Sequence, residues 1–255
     1  MPEGDGVTGA GAAVPAQWPP EGAGAVLELL SNGEVELKGR IPWSSNATFL
    51  VSVRAIDGQE VLAIYKPARG ERALWDFPRG LWRREVAAYR LACHLGWDMV
   101  PPTVARVDGP LGLGSLQLCV DASPDDHYFT LLDGGEHDLE LRRVAVFDLL
   151  ANNADRKAGH CLLDRAGRIW AIDNGLCFHA EPKLRTVIWD FAGEQINEDL
   201  LEPLGPLSLG EVQRALGELL DAEEAEALVT RASALRRKPK FPAPRTEYYY
   251  PWPLI

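Results

Sequence analysis

The stretch ATFLVSVRAIDGQEVLAIYKP, residues 47–67, indicates the fold more clearly than any other part of the chain. It consists of two apolar runs joined by Asp57-Gly58, a dipeptide that favours the tight turn of a β-hairpin. Lys66 stands at the end of the second run, and Pro67 stops it. The stretch therefore predicts two antiparallel strands, the second of which ends in a lysine.

The segments on either side of this hairpin carry patterns of further strands and helices. Residues 23–41 predict a short helix that ends at Asn32-Gly33 and is followed by a strand. Residues 81–96 predict an amphipathic helix closed by Gly96. Residues 100–121 have the composition of two more strands around a Gly-Pro turn. The first half of the chain therefore predicts a small antiparallel sheet with one helix.

Helical periodicity is frequent in the second half of the chain. Residues 138–152 predict one helix, and residues 208–238 predict a pair of helices. Between them, residues 160–175 predict a second hairpin. The proline- and aromatic-rich residues 241–255, called the C-terminal strap below, are expected to pack as an extended segment.

Composition excludes several classes of function. Hydrophobic residues make up 46% of the 255 residues, which is typical of a folded protein. The net charge of -11 is opposite to what a general nucleic-acid binder needs. No apolar run is long enough to span a bilayer, and residues 1–22 resemble a disordered tail rather than a secretory signal. These features predict a cytoplasmic protein with no integral membrane segment and no nucleic-acid partner.

Two aspartates in residues 147–175 (FDLLANNADRKAGHCLLDRAGRIWAIDNG) are candidates for phosphoryl-transfer chemistry. Asp155 follows a predicted helix, and Asp173 follows the predicted hairpin, so the two carboxylates can lie together at one edge of a lobe. Asp155 would be the general base or orient the attacking hydroxyl, and Asp173 would hold magnesium. The alternative is that both are ordinary turn residues.

Lys66 and Glu85 form a second candidate pair. A lysine at the end of a central strand can reach ATP phosphates, and a glutamate on the next helix can hold its ammonium in place. The alternative is that both are solvated surface charges.

The loop PWSSNATF, residues 42–49, stands where a phosphate-covering loop would be needed. It has neither the G-x-G-x-x-G nor the Walker pattern. Its small or polar residues would still let backbone N–H groups approach phosphates. These residues are Ser44, Ser45, Asn46, Ala47 and Thr48. A simple solvated turn is the alternative.

An ordered set of four motifs resembles the phosphatidylinositol 3-/4-kinase superfamily, and within it a bacterial branch of short kinase-like proteins. The motifs are VLAIYKP at 61–67, REVAAYRL at 84–91, FDLLANNADRKAGH at 147–160 and IWAIDNGLCFH at 169–179. The resemblance covers roughly residues 26–195. It implies a two-lobed, protein-kinase-like α+β fold. We expect an N-lobe at 23–120 and a C-lobe at 121–255 that contains the catalytic hairpin and the C-terminal strap.

The resemblance also implies roles for individual residues. Lys66 matches the ATP-phosphate lysine, Glu85 its helix partner, Asp155 the catalytic aspartate and Asp173 the metal-binding aspartate. Residues 115–120, with Leu118 and Val120, match the linker strand whose backbone meets adenine.

One residue departs from the family pattern. Five residues after the catalytic aspartate, where the family usually has a metal-binding asparagine, this chain has His160. Imidazole is a poorer magnesium ligand than an amide oxygen and suits manganese or zinc better. Asn152 or Asn153 is the alternative oxygen donor.

The sequence therefore predicts an ATP- and metal-dependent kinase, with Mg²⁺ or Mn²⁺, acting on an unknown hydroxyl acceptor: a protein, a metabolite or an inositol lipid. Alternatives are a pseudokinase or nucleotide sensor, an AMP-transferring enzyme, and a metal-dependent phosphoester hydrolase that uses Asp155, His160 and Asp173. A zinc cluster of two histidines and two cysteines is a further, structural alternative; its members would be His160, His179, Cys161 and Cys177.

Overall fold

Strand β2 (Phe49–Arg54) and strand β3 (Glu60–Pro67) form the predicted hairpin, with Gly58 in its turn at a φ of 90°. Glycine adopts this φ without steric cost, which explains the Asp57-Gly58 dipeptide. The computed structural model describes residues 23–42, 44, 46–244 and 246–255. The predicted disordered tail lies outside the described residues.

The remaining elements follow the order that the sequence predicts, with short additional helices in the second half. They are α1 (Ala23–Asn32), β1 (Glu34–Arg40), α2 (Leu81–His94), β4 (Thr103–Gly109), β5 (Gly112–Leu118), α3 (Tyr128–Gly134), α4 (Asp138–Ala151), β6 (Cys161–Leu163), β7 (Ile169–Ala171), α5 (Glu198–Leu201), α6 (Leu209–Leu216) and α7 (Ala222–Arg237).

Five strands form one antiparallel sheet in the order β1-β2-β3-β5-β4. Burial alternates along β3: Val61, Ala63 and Tyr65 are buried, and the residues between them are half-buried. Because side chains alternate between the faces of a strand, Lys66 lies on the face opposite the Tyr65 core. The alternation thus keeps the lysine available for a site next to the sheet.

Two large hydrophobic cores and one small cluster, around Phe77 and Leu81, stabilise the part of the fold that the structure describes. The smaller core lies between α1 and the sheet. The larger one combines the helices of the second half with the apolar side of α2, which includes Ala87, Ala88 and Leu91. The molecule is therefore two-lobed, and α2 packs its apolar side into the core of the helical lobe.

Helix α2 has a defined start. Gly80, at a φ of 93°, precedes it, and Glu71 accepts hydrogen bonds from the N–H groups of Gly80 and Trp82. The carboxylate thus satisfies donors that have no partner within a helix and compensates the positive end of the helix dipole.

The helical lobe confirms the predicted second hairpin, β6–β7, and the predicted pair α6 and α7. Ser208 caps α6 by accepting the N–H of Glu211, and Asp221 caps α7 in the same way through Glu224. The C-terminal strap reaches back to the lobe, where the carbonyl of Leu254 accepts the N–H of Ala158.

No helix in the described part of the chain has the length and hydropathy needed to cross a bilayer. The lobe boundary near residue 120 stays a prediction.

Candidate functional site

The segment 153–158, called the Asp155 loop, is anchored at every second residue. Its anchors are three backbone N–H groups that donate to carbonyls of three different segments: Ala154 to Leu176 (2.8 Å), Arg156 to Arg185 (3.0 Å) and Ala158 to Leu254 (2.8 Å). Arg156 and Ala158 are fully buried. Burial alternates along the loop, and the half-buried Asp155 and Lys157 lie together on the opposite side. That side contributes Asp155 to a cleft next to the sheet.

A buried ion pair behind the loop fixes its position. Arg156 and Asp148 of α4 are both inaccessible to solvent, and the guanidinium contacts the carboxylate at 3.0–3.1 Å. The same guanidinium donates to Oδ1 of Asn174 (2.7 Å) and to the carbonyl of Ile172 (2.6 Å). It therefore joins α4, the Asp155 loop and the turn after β7. The sequence alone does not assign a role to Asp148; its one signal is an aspartate in the middle of an apolar helix.

Asp173 lies directly after β7 in a left-handed conformation, with a φ of 56°. Such a conformation is uncommon for residues other than glycine and costs about 1 kcal/mol or more. The next residue, Asn174, donates its N–H to Oε2 of Glu85 (3.0 Å). A Cβ at Gly175 would lie 3.2 Å from Oε1 of Glu85, so glycine suits this close approach. The turn after β7 is thus packed directly against α2.

Lys66 bridges the two lobes. Its ammonium donates to Oε1 of Glu85 and lies 2.8 Å from Oδ1 of Asp173. Burial by itself would lower the pKa of Lys66, but the carboxylates of Asp173 and Glu85 outweigh it and raise that pKa above its ordinary value. Lys66 is therefore permanently charged. An ammonium has three N–H donors, so one remains after Glu85 and Asp173 are bound.

The pKa values of the two carboxylates beside Lys66 are shifted in opposite directions. The positive charge of Lys66 lowers the pKa of Asp173, so Asp173 is ionised throughout the neutral range. Burial raises the pKa of Glu85 despite the attraction of Lys66. Glu85 is only 2% exposed, whereas the side chain of Asp173 is 50% exposed at the mouth of the cleft. Asp173 can therefore still reach a ligand, and Glu85 cannot.

Asp155 lines the same cleft as Lys66, Glu85 and Asp173. Burial raises its pKa to about 6, while the neighbouring Lys157 counteracts part of this effect. The ammonium of Lys157 lies 3.6 Å from Oδ2 of Asp155. The sequence alone does not indicate a role for Lys157; its position two residues after Asp155 is the one local signal of this contact.

His160 and Asp173 face each other in a way that suits a divalent cation. Nδ1 of His160 lies 3.0 Å from the carbonyl oxygen of Asp155 and 3.4 Å from the backbone N–H of Lys157, so it donates to the first with its proton on Nδ1 and accepts from the second with its proton on Nε2. Burial lowers the pKa of His160 to about 4, so the ring is neutral at pH 7. Nε2 lies 3.4 Å from Oδ2 of Asp173. In the tautomer with the proton on Nδ1, Nε2 and the Asp173 carboxylate are two facing acceptors that can share a divalent cation.

The loop before β2 covers the cleft. Ser44, Asn46, Ala47 and Thr48 line it, whereas Ser45 lies outside the described residues. The Ala47 N–H donates to the carbonyl of Gly70 (3.1 Å), and the hydroxyls of Ser44 and Thr48 are 2.7 Å apart. The hydroxyls are thus better placed than the Ala47 N–H to meet a phosphate.

Leu118 and Val120 do not line the part of the cleft that holds Lys66. Leu118 is buried in the smaller core and donates its N–H to the carbonyl of Pro102 (2.8 Å). Cys119 likewise donates its N–H to Leu62. A backbone N–H for adenine would therefore have to come from Val120 or beyond, and the adenine role of this segment stays a prediction.

The other possible ligands that the sequence suggested are used within the fold. Oδ1 of Asn153 accepts the Asp155 N–H, and Oδ1 of Asn152 accepts the N–H of Lys183. Within the described residues, no group of three or more histidine, cysteine, aspartate or glutamate side chains has the arrangement of a metal site, so the zinc cluster finds no support. His179 instead packs its ring against Phe77, with centroids 5.2 Å apart.

Comparison with solved structures identifies the fold. The fold is that of a two-lobed kinase-like protein: it matches the Golgi casein kinase with Mn and ADP bound at a TM-score of 0.57 (14% identity, 85% of this chain, 75% of that one). It matches hydra Fam20 with sugar at 0.54 (15% identity, 83% and 86%) and the Helicobacter pylori proinflammatory kinase CtkA at 0.50 (14% identity, 83% and 94%).

Sequence comparison assigns the family. The chain belongs to the family of Protein Rv2133c of Mycobacterium tuberculosis (strain ATCC 25618 / H37Rv), with 39% identity over 262 residues that cover 88% of this chain and 94% of that one. It is 28% identical over 211 residues to phosphatidylinositol 4-kinase gamma 4 of Oryza sativa subsp. japonica, covering 68% of this chain and 35% of that one. No family model matches. The kinase-like fold is thus confirmed, and membership of the phosphatidylinositol 3-/4-kinase superfamily stays a proposal.

Proposed function

We propose that the protein is an ATP- and divalent-metal-dependent phosphotransferase of the phosphatidylinositol 3-/4-kinase type. The observation that carries this proposal is the meeting of Lys66, Asp155 and Asp173 on one cleft between the lobes. The ordered motifs and the 28% identity to a plant phosphatidylinositol 4-kinase support the superfamily. The acceptor is a hydroxyl group of a protein, a metabolite or an inositol lipid.

Each residue has a defined task in this reaction. The third N–H of Lys66 binds an oxygen of the nucleotide phosphates, and Glu85 keeps the ammonium in place. Asp173 and His160 would hold Mg²⁺ or Mn²⁺, which when bound neutralises negative charge on the phosphates. Lys157 adds a positive charge beside Asp155, where charge develops on the transferred group.

Asp155 is the general base that accepts the proton of the acceptor hydroxyl. The acceptor oxygen attacks the γ-phosphorus, the bond from that phosphorus to the bridging oxygen breaks, ADP leaves, and the hydroxyl proton passes to a carboxylate oxygen of Asp155. A pKa of about 6 suits this role, because the carboxylate is ionised at pH 7 and still basic enough to accept the proton.

The test follows labelled ATP. The protein is incubated with cell extract, Mg²⁺ or Mn²⁺, and ATP labelled either at the γ- or at the α-phosphate; Asp155→Asn is the matched control. Transfer of γ-label only, lost in the control, supports the proposal. Transfer of α-label indicates AMP transfer instead.

A nucleotide-dependent rise in melting temperature without any transfer indicates a pseudokinase or nucleotide sensor. Release of phosphate from a phosphoester in the absence of ATP indicates the hydrolase.

A further inference from the structure

The contact between Lys66 and Glu85 joins two hydrophobic cores. Lys66 belongs to β3, whose buried side chains lie in the smaller core under the sheet. Glu85 belongs to α2, whose apolar side lies in the larger core of the helical lobe. The placement of Glu85 therefore depends on how α2 is held by the helical lobe.

Arg84, the residue next to Glu85, contacts that lobe directly. Its side chain is 0% exposed, and its guanidinium forms an ion pair with the carboxylate of Glu224 in the first turn of α7. Glu224 is itself fixed by a reciprocal pair of 3.0 Å hydrogen bonds with Asp221. The Arg84 guanidinium also lies 5.0 Å from the centre of the Phe77 ring. The partner of Arg84 is thus held rigidly at the start of a long helix.

The Arg84–Glu224 ion pair contributes little net stability to the fold. Nε and Nη1 of Arg84 are buried and have no hydrogen-bond partner among the described residues. Removing a guanidinium and a carboxylate from water costs about as much as their attraction returns, so such a pair contributes little net stability compared with apolar side chains. The main effect of the Arg84–Glu224 pair is therefore to orient α2 relative to α7.

We propose that Arg84 and Glu224 are positioning residues that fix the rotation of α2 and thereby place Glu85 against Lys66. Consecutive helical residues project about 100° apart, so a rotation of α2 that separates Arg84 from Glu224 also withdraws Glu85 from Lys66 and from the Asn174 N–H. The assignment rests on the proposed function only in that Lys66 binds the nucleotide phosphates.

The experiment measures the environment of Lys66 with and without nucleotide. Mass spectrometry follows the rate at which acetic anhydride acylates Lys66 in the free protein, and calorimetry measures ATP affinity. The variants are Arg84→Met, Glu85→Gln and the two combined. The matched control is Arg106→Met, which removes another buried arginine that binds the carbonyls of Leu30 and Gly33 in the sheet lobe.

Arg84→Met is expected to raise the acylation rate about threefold and to weaken ATP binding about tenfold, because Glu85 no longer holds the ammonium. In the Glu85→Gln background it is expected to add less than about twofold to either effect, since both changes act through one contact. Arg106→Met is expected to lower the melting temperature without changing acylation or affinity.

Acylation that stays at the wild-type rate, or effects of Arg84→Met and Glu85→Gln that simply add, would overturn the proposal. Altered acylation in a protein whose wild type binds no ATP would refute the proposed function and leave the positioning role intact. Should Arg84→Met not fold, Glu224→Gln replaces it, because the amide keeps the volume of the carboxylate and removes only its charge.

Discussion

Oδ1 of Asp173 lies 2.8 Å from the ammonium of Lys66, although 107 residues separate them in the chain. The contact places the end of the sheet hairpin next to the turn that follows the second hairpin. It also leaves the Asp173 side chain half exposed at the cleft mouth, where a metal-bound phosphate could reach it. The predictions below therefore concern four residues of one cleft: Lys66, Asp155, His160 and Asp173.

Asp173→Asn is expected to abolish metal-dependent nucleotide binding, because an amide lacks the negative charge that a divalent cation needs. Calorimetry with ATP, in Mg²⁺ and separately in Mn²⁺, measures this. The variant should melt below the wild type at neutral pH, because Lys66 lowers the pKa of Asp173 and the ionised carboxylate therefore stabilises the fold; exposure of half the side chain limits the loss. Unchanged ATP affinity in both metals would exclude Asp173 as a ligand.

Lys66→Met is expected to weaken ATP binding by at least about tenfold and to destabilise the protein at pH 8 by about 3 kcal/mol, because it leaves the buried Glu85 carboxylate without its cation. Lys66→Met combined with Glu85→Gln should recover much of the lost stability but none of the binding. Lys38→Met, at a more exposed lysine of β1, is the control. Full stability of Lys66→Met alone would contradict the buried pairing.

Asp155→Asn is expected to stop transfer and to raise the melting temperature at pH 7.5. The pKa of about 6 in the folded protein exceeds the value near 4 of an unfolded aspartate, so the folded state binds the proton more tightly. The ionised carboxylate therefore destabilises the fold above pH 6, by about 3 kcal/mol, and this penalty disappears as the pH falls to 4. Calorimetry of the wild type and Asp155→Asn with a chelator, at pH 7.5 and at pH 4, checks this; equal melting temperatures of the two proteins at pH 7.5 would show that burial of Asp155 does not destabilise the fold.

His160→Asn is expected to keep or raise transfer activity and to increase the ratio of the rate in Mg²⁺ to that in Mn²⁺, since magnesium prefers an amide oxygen to an imidazole nitrogen. Initial rates in each metal measure the ratio. A large loss in both metals would instead assign the histidine a specialised role.

Much of the fold could be predicted because its signals are local. The Asp57-Gly58 turn, the amphipathic period of α2 and the Ser208 cap each depend on neighbouring residues alone, and all three are confirmed. The buried ion pairs have no such local signal in the sequence. The pairs Asp148–Arg156 and Arg84–Glu224 join residues from separate elements, and a charged residue inside a helical pattern does not indicate its partner.

Residue identity and spacing were sufficient to nominate Lys66, Glu85, Asp155 and Asp173, because strand ends and the turns after hairpins place side chains at the edges of a lobe. Only the tertiary structure decided that Lys66 binds Glu85 and Asp173 together, that Asp155 is buried enough to titrate near pH 6, and that α2 packs into the helical core. The reason is physical. A pKa and an ion pair depend on distances and solvent exclusion among residues far apart in the chain, and these quantities exist only after the two lobes have packed.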